Sequence, residues 1–313
     1  MIRTLLRRLL LSIPLLFIVS AMTFVLTALI PGDAAGTILG TTASKESLAA
    51  LRKSLGLDQP IWVQYGHWVG NAFSGDLGKS VFTSEPVAQF IADALPVTLT
   101  LLLGAVIVAT VTGIPLGVWS ALRAKSGGRV IDIVSMIGYA IPPFFLGLLL
   151  ALLFSNWLSL LPASGYVPFA EDPGLWFTSI ILPVATLAIP GAAALARQTR
   201  QGMVEVLTRD YIRSLRARGI SERSIVYQHA LRNAAGNVVT ALGLYVVSLL
   251  LGTTLVESVF AMQGLGSIAV RATNQHDLPV LEGAAVVFTI IVIIAFALVD
   301  LIRAWLNPKL RSR

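Results

Sequence analysis

The sequence has no cysteine, and only 12% of its 313 residues are charged. The missing cysteines exclude disulfides, iron–sulfur clusters and thiol catalysis, and say nothing about redox compartment. The scarcity of charge excludes more. Soluble domains carry about 25% charged residues, and a chain with half that share cannot cover its own surface in water. Disorder is excluded on the same ground, since 56% of the residues are hydrophobic. The three histidines, His67, His229 and His276, are far apart and read as members of different loops, so no recognisable metal-ligand spacing exists. The net charge of +7 is compatible with nucleic acid. In so apolar a chain, an excess of arginine on the inner side of a membrane accounts for it better, and no nucleic-acid partner is expected.

What the sequence has in quantity is apolar length. A helix crosses the hydrocarbon core with about 20 mostly apolar residues. Six stretches qualify: Leu9–Ile30, Val97–Leu122, Ile131–Phe154, Ser179–Ala196, Val238–Val256 and Gly283–Ile302. Pro183 and Pro190 interrupt the fourth, which lipid-embedded helices tolerate. Arg3, Arg7 and Arg8 ahead of the first stretch resemble the start of a signal peptide. Its apolar run exceeds the ~7–15 residues of a signal core, so an uncleaved span is expected. Lysine and arginine number 3, 3, 8 and 4 in the N-terminal tail, the 123–130 loop, the 197–237 loop and the C-terminal end, against 4, 0 and 1 in the alternate loops. This asymmetry predicts that both termini are cytoplasmic. Trp119, Trp157, Trp176 and Trp305 fall near span ends, where interfacial anchors belong.

Ionisable residues are nearly absent from the six stretches. Asp132 and Asp300 sit at inner ends and Glu257 at an outer end. Proton-driven carriers bury a titratable group at mid-membrane. With no such seat expected, uphill transport by this chain requires an external motor. No internal repeat is visible.

Three outer loops separate the spans. Residues 32–95 are long enough to fold: Ser44 suits a helix N-cap, Glu46 its first turn and Gly56 its end, while Leu48, Leu51 and Leu55 recur on one face. Pro60 suits the opening of a second short helix carrying Trp62, Trp68 and Phe73. This segment reads either as an amphipathic cover on the bundle or as a docking surface. Gly75 to Ser80 imitates the end of a phosphate-binding loop, but Phe73 stands where its first glycine belongs. In the last outer loop, 257–282, Gly264 and Gly266 permit a tight or re-entrant backbone, and Arg271, His276 and Asp277 follow.

The 197–237 loop is strongly basic yet patterned. Tyr211, Leu215, Ile225, Val226 and His229 have helical spacing, Gly219 fits a position just past a helix end, and Ser221 with Glu222 fits the next helix start. Two short helices joined at a glycine are expected along the inner face. Two other readings stay open, a surface helix whose arginines meet anionic lipid and a solvated loop that only sets topology. The run Asp210, Tyr211, Ile212, Arg213, Ser214, Leu215, Arg216, Ala217, Arg218, Gly219 resembles the coupling loop of ABC importer permeases. That family reads E-A-A-x-x-x-G, nine residues, then I-x-L-P. Here Arg213-Ser214-Leu215 stands for E-A-A and His229 to Arg232 for I-x-L-P, so the glutamate and proline are both replaced. These departures are similar to the B-type permeases of the dipeptide/oligopeptide/nickel importers. Further matches in order include Leu55 to Pro60, Gly75 to Gly78, Leu95 to Leu99, Ile141 to Phe144, Leu182-Pro183, Val256 to Gly266 and Asn307 to Arg311.

The resemblance implies an all-α integral membrane protein of the bacterial or archaeal cytoplasmic membrane, with six transmembrane helices in the type I ABC importer permease fold. It divides the chain into a tail and first span (1–31), an extracytoplasmic segment (32–95) and a five-helix core (96–313) holding the coupling loop. It implies a pathway for peptides delivered by an extracytoplasmic binding protein. It further implies a heterodimer with a second homologous permease and two cytoplasmic ATPases that bind ATP and magnesium. The chain itself would carry no cofactor and no catalytic residue. Asp210, Tyr211, Arg213, Ser214, Leu215, Arg216, Ala217, Arg218 and Gly219 would form the coupling helix. Within the spans, Tyr139, Pro142, Pro143, Ser248, Thr253, Thr254 and Glu257 are the pathway candidates, although small polar residues in membrane helices often serve packing instead. Nickel, glutathione or haem import are alternatives within the family. A self-contained secondary carrier or channel would need ion sites or a polar pore, and a membrane-anchored enzyme would need a catalytic constellation. Neither is legible.

Overall fold

The computed structural model describes residues 2–306 apart from 41–42, 124–132, 134–137 and 139–140, and side chains from residue 10 to 305 within that range. Among the described residues the chain is helical, with an isolated antiparallel bridge between Lys79 and Pro86. Five helices are long and apolar enough to cross a membrane. The third expected span is represented by the shorter apolar helix Pro143–Trp157, and most of the expected residues before it lie outside the described set. The long helices overrun the expected spans because the apolar count marks only the hydrocarbon-crossing part. Nothing in the flanking polar turns breaks the backbone ladder.

The chain divides into two compact units, 3–98 with 263–293, and 99–262 with 294–313 plus the first two residues. In the first, the spanning helix α1 (Ile2–Leu29) is followed by three short helices. Asp33 caps α2 (Ala34–Leu39) by accepting from Gly36 N at 2.8 Å and also accepts from Arg52 of α3 (Lys45–Ser54). Ser44 caps α3, accepting from Ser47 N at 3.2 Å, as its place in the sequence requires. Pro60 precedes α4 (Ile61–Phe73). α4 lies on α1: the Tyr65 hydroxyl is 2.8 Å from Ser20 Oγ, and the Tyr65 ring meets Phe24 edge-on at 5.4 Å. The start of α5 (Val87–Leu122), α10 (Leu265–Gln275) and the start of α11 (Leu278–Leu306) share a core of Val87, Ala272 and Val280. The buried Thr98 hydroxyl accepts from Leu265 N at 2.8 Å and so fixes the beginning of α10.

In the second unit, α6 (Pro143–Trp157), α7 (Pro173–Leu207) and α9 (Glu222–Val259) pack on one another. α7 runs unbroken through Pro183 and Pro190 for 35 residues. Gly113 and Gly117 let α5 lie against the α7 backbone: a Cβ at either would meet the carbonyl of Ala192 or Ala196 at 2.6 or 2.5 Å. Small residues one turn apart are a common device for close helix contact in lipid. Beside them Val118, Met203, Val226, Ala230 and Ala234 form a buried cluster.

The expectation of no titratable group within a span needs correction. Asp277 ends the preceding turn and α11 begins at Leu278, five residues before the expected start of the span. The spanning helix therefore includes Glu282, which is fully buried with neither carboxylate oxygen hydrogen-bonded.

Asp277 anchors this junction. Its carboxylate accepts from Ser80 Oγ, from Val81 N at 3.4 Å and from Val280 N. Burial pushes its carboxyl above the usual carboxylate value of 3.8, opposed in part by those hydrogen bonds. The unfolded form thus ionises before the folded one, so the stability this group contributes in acid is lost as pH rises from the unfolded towards the folded value. Asp277→Asn retains an acceptor for the cap and removes the charge. Its thermal midpoint in detergent, relative to the parent, is predicted to rise as pH is raised from about 4 to about 7. Asp277→Ala loses the cap and is predicted to be less stable at neutral pH by about 1 kcal/mol. A pH-independent difference between parent and Asn variant would refute the charge argument.

Candidate functional site

Between α7 and α9 the chain leaves the bundle for a short helix, α8 (Asp210–Ala217). Asp210 lies in its first turn and Arg216 in its last, each favoured by the helix dipole. Only Ile212 is buried, at 0% exposure, and α8 packs through it against the π-helical turn Ile225–Ala230 at the start of α9. Three contacts hold the ends. Asn233 Nδ2 donates to the Tyr211 hydroxyl at 3.1 Å. Arg216 grips Glu222 with two hydrogen bonds of 2.6 and 3.3 Å. Ile220 N donates to Leu215 O and Gly219 N to Arg216 O, which closes α8 with a Schellman turn. Gly219 occupies the left-handed conformation at φ +77°. The surface that remains carries Arg213, Ser214, Ala217 and Arg218, all exposed, with exposed Tyr211 and Ile220 beside them. Arg213 meets Asp210 only at 3.5 Å.

The expected second short helix of this loop does not exist as a separate element. Ser221 caps it, accepting from Ser224 N at 3.4 Å, but the helix continues through the π turn into α9. Of the 40-odd residues read as a loop, only the α8 segment departs from the two long helices. π turns inside α-helices frequently mark functional sites.

A second feature lies among α6, α7 and α9, a cavity of about 350 Å³. Pro143, Gln198, Tyr245 and Ser248 contribute to its wall, and no acidic or basic side chain does. The Tyr245 hydroxyl donates to Leu187 O at 3.0 Å, in the stretch of α7 where Pro190 interrupts the ladder. Of the pathway candidates, Pro143 and Ser248 line this cavity. Pro142 caps α6. Thr253 and Glu257 are fully buried away from the cavity, and Thr253 and Thr254 bond back to Leu250 O at 3.1 and 3.2 Å. Tyr139 lies outside the described residues.

Two family descriptions cover the chain. "Binding-protein-dependent transport system inner membrane component" matches residues 113–312, and the N-terminal component of the same systems matches residues 1–102. The chain belongs to this family of inner-membrane transport components. It is a multi-pass permease. A protein of Brucella abortus named as a peptide transport system permease is 41% identical over 98% of both chains. The glutathione transport system permease protein GsiC of Escherichia coli K12 is 37% identical over the full length of both. Among solved structures, a chain of the MetNI methionine ABC transporter superposes with a TM-score of 0.60 at 19% identity, covering 72% of this chain and all of that one. That likeness confirms the helical permease fold.

Sequence reasoning missed three residues that organise these sites. Ile212 is the apolar exception in a charged helix, a signal that was available. Asn233 and Tyr245 act across helices and had no local signal. Ile212→Ala is predicted to destabilise the α8 junction by about 2–4 kcal/mol, the usual cost of truncating a buried isoleucine. Hydrogen exchange should show this as faster exchange at residues 209–221, with α5 unchanged. Unaltered protection of that segment would show that Ile212 is not the anchor.

Proposed function

We propose that this permease forms the translocation pathway of an ATP-driven importer of peptides, and that α8 is the coupling helix through which partner ATPases move it. The observation that carries the reading is the build of α8: one buried anchor, cross-braced ends and an outward face of arginine, tyrosine and isoleucine. A helix held this way transmits force to α7 and α9 instead of yielding to it. Helix-in-groove contacts concentrate their energy in a few anchors, and exposed Tyr211 and Ile220 supply apolar ones while Arg213 and Arg218 supply charge. Arg216 serves within the chain, bracing α8 to Glu222.

In this reading both termini and α8 face the cytoplasm. ATP and magnesium belong to two ATPase partners, and a second, homologous permease completes the pathway. Residues 32–95 emerge on the outer side, where a binding protein delivers cargo, with α4 folding back onto α1, and this chain has no catalytic residue. The cavity among α6, α7 and α9 is the permease's share of the pathway. Its uncharged wall offers Gln198 and Ser248 as hydrogen-bonding groups for a peptide backbone without selecting side-chain charge. The peptide-named and glutathione-named relatives agree in cargo chemistry, since glutathione is itself a tripeptide.

The test of coupling is Gly219. A Cβ there meets nothing within 4 Å, so a substitution acts through the backbone alone. A left-handed conformation costs a residue with a side chain about 1–2 kcal/mol, and asparagine tolerates it best. In the reconstituted transporter, Gly219→Val is predicted to leave ATP hydrolysis in place while peptide uptake falls about tenfold, and Gly219→Asn to retain most uptake. Normal uptake by the valine variant would remove the proposed role.

The native chain lacks cysteine, so the pathway can be probed directly. Gln198→Cys and Ser248→Cys are predicted to react with a water-soluble thiol reagent during turnover, and peptide cargo to slow the reaction. Complete inertness of both would exclude the cavity.

A further inference from the structure

The first unit contains a cavity that the transport reading does not use. It measures about 330 Å³, at the lower end of the range for small-ligand pockets. Ile13, Leu16, Phe17 and Ser20 of α1 form one wall, Trp68, Val69, Ala72 and Phe73 of α4 another, and Leu77 and Val286 close it. Two of these elements are spanning helices. Ile13 to Ser20 lies within the span Leu10–Leu29, and Val286 lies eight residues inside the span that starts at Leu278. The cavity is therefore at hydrocarbon depth, and its lining is almost wholly apolar. α4 is fastened to α1 by the Tyr65–Ser20 hydrogen bond and by Phe17 against Phe73 at 6.1 Å, so the walls are fixed. One polar group stands out: the Trp68 indole N–H is buried and has no acceptor. An orphaned donor of this kind in a membrane segment is expensive unless a ligand completes it.

We propose that this cavity seats one acyl chain of a membrane glycerophospholipid, with the ester carbonyl accepting from Trp68. The medium surrounding both spanning walls is hydrocarbon. An acyl chain enters from it without desolvation, whereas a peptide or a water-filled void would leave polar groups unpaired. The ester supplies the acceptor that an alkyl chain alone lacks. The bound lipid then wedges α4 onto α1.

The complete transporter, reconstituted in vesicles with a trace of phosphatidylcholine carrying an acyl-chain diazirine, tests this. After irradiation, lipid adducts mapped by mass spectrometry should concentrate on residues 13–20 and 68–77, above the level on the exposed α1 residues Leu10, Leu11, Leu26 and Leu29. Ala72→Phe fills the cavity and should lower cavity adducts about tenfold while leaving the exposed face unchanged. Trp68→Phe keeps an aromatic wall, enlarges the cavity somewhat and removes the donor. The parent should label about fivefold better with the ester-linked probe than with its ether-linked analogue, and Trp68→Phe should erase that preference. Uniform labelling along α1 would overturn the proposal, as would equal labelling by ester and ether probes in the parent, or crosslinks from these positions to peptide cargo or another protein chain. The Trp68→Phe and parent comparisons decide the matter even if Ala72→Phe fails to assemble.

Discussion

Within the bilayer every backbone N–H and C=O must find its partner inside the protein. This constraint produces the long uninterrupted helices and explains why they tolerate prolines. Pro183 and Pro190 leave α7 unbroken because the helix is packed on both α6 and α9, and the Tyr245 hydroxyl donates to a carbonyl in the interrupted stretch. The same constraint exiles charge. With 12% charged residues, the chain places much of its basic charge where the backbone leaves the bundle, at α8. Short, largely exposed helices carry charge outside the spans: α3 holds four ionic residues of ten and α8 three of eight.

That exile decides what the molecule can do unaided. The described helices of the second unit pack around a cavity whose wall carries no charged side chain, and α8 departs from them as a braced segment. In the proposed reading, α8 is the lever that an external motor grasps. The rigidity of the lever rests on modest contacts. The exposed Arg216–Glu222 pair is screened by solvent and contributes little, and the Schellman close fixes direction more than energy. Ile212 supplies most of the hold, because burying a branched apolar side chain outweighs either.

The sequence made legible what depends on local chemistry. Ser44 and Ser221 cap the helices expected of them, Pro60 precedes α4, and Gly219 takes the left-handed turn that closes α8. Apolar runs located the spanning helices and missed their lengths, since polar turns such as 197–207 and 222–230 continue a helix when nothing breaks it. What depends on partners distant in sequence was not legible. Asn233 reaches Tyr211 across 22 positions and Tyr245 reaches Leu187 across 58. The hydroxyls of Thr253 and Thr254 looked like pathway groups, but they spend their donors on Leu250 O, a local bond that sequence alone cannot distinguish from an open one.

Glu282 shows why the apolar count is a poor guide at helix ends. The Asp277 cap starts α11 before the hydrophobic run begins, so a residue that reads as part of a loop is carried inside. Next to it Gly283 leaves room for Val87 and Ile91: a Cβ there would meet Val87 at 2.5 Å. The neighbouring Glu282 carboxyl is fully buried beside this apolar packing. Burying a polar group without a partner costs about 2–7 kcal/mol, depending on the reference state. The cap, the Thr98–Leu265 bond and the Val87–Ala272–Val280 core hold the junction and offset that cost. The carboxyl is a consequence of where the helix begins, and the cap at Asp277 is what sets that beginning.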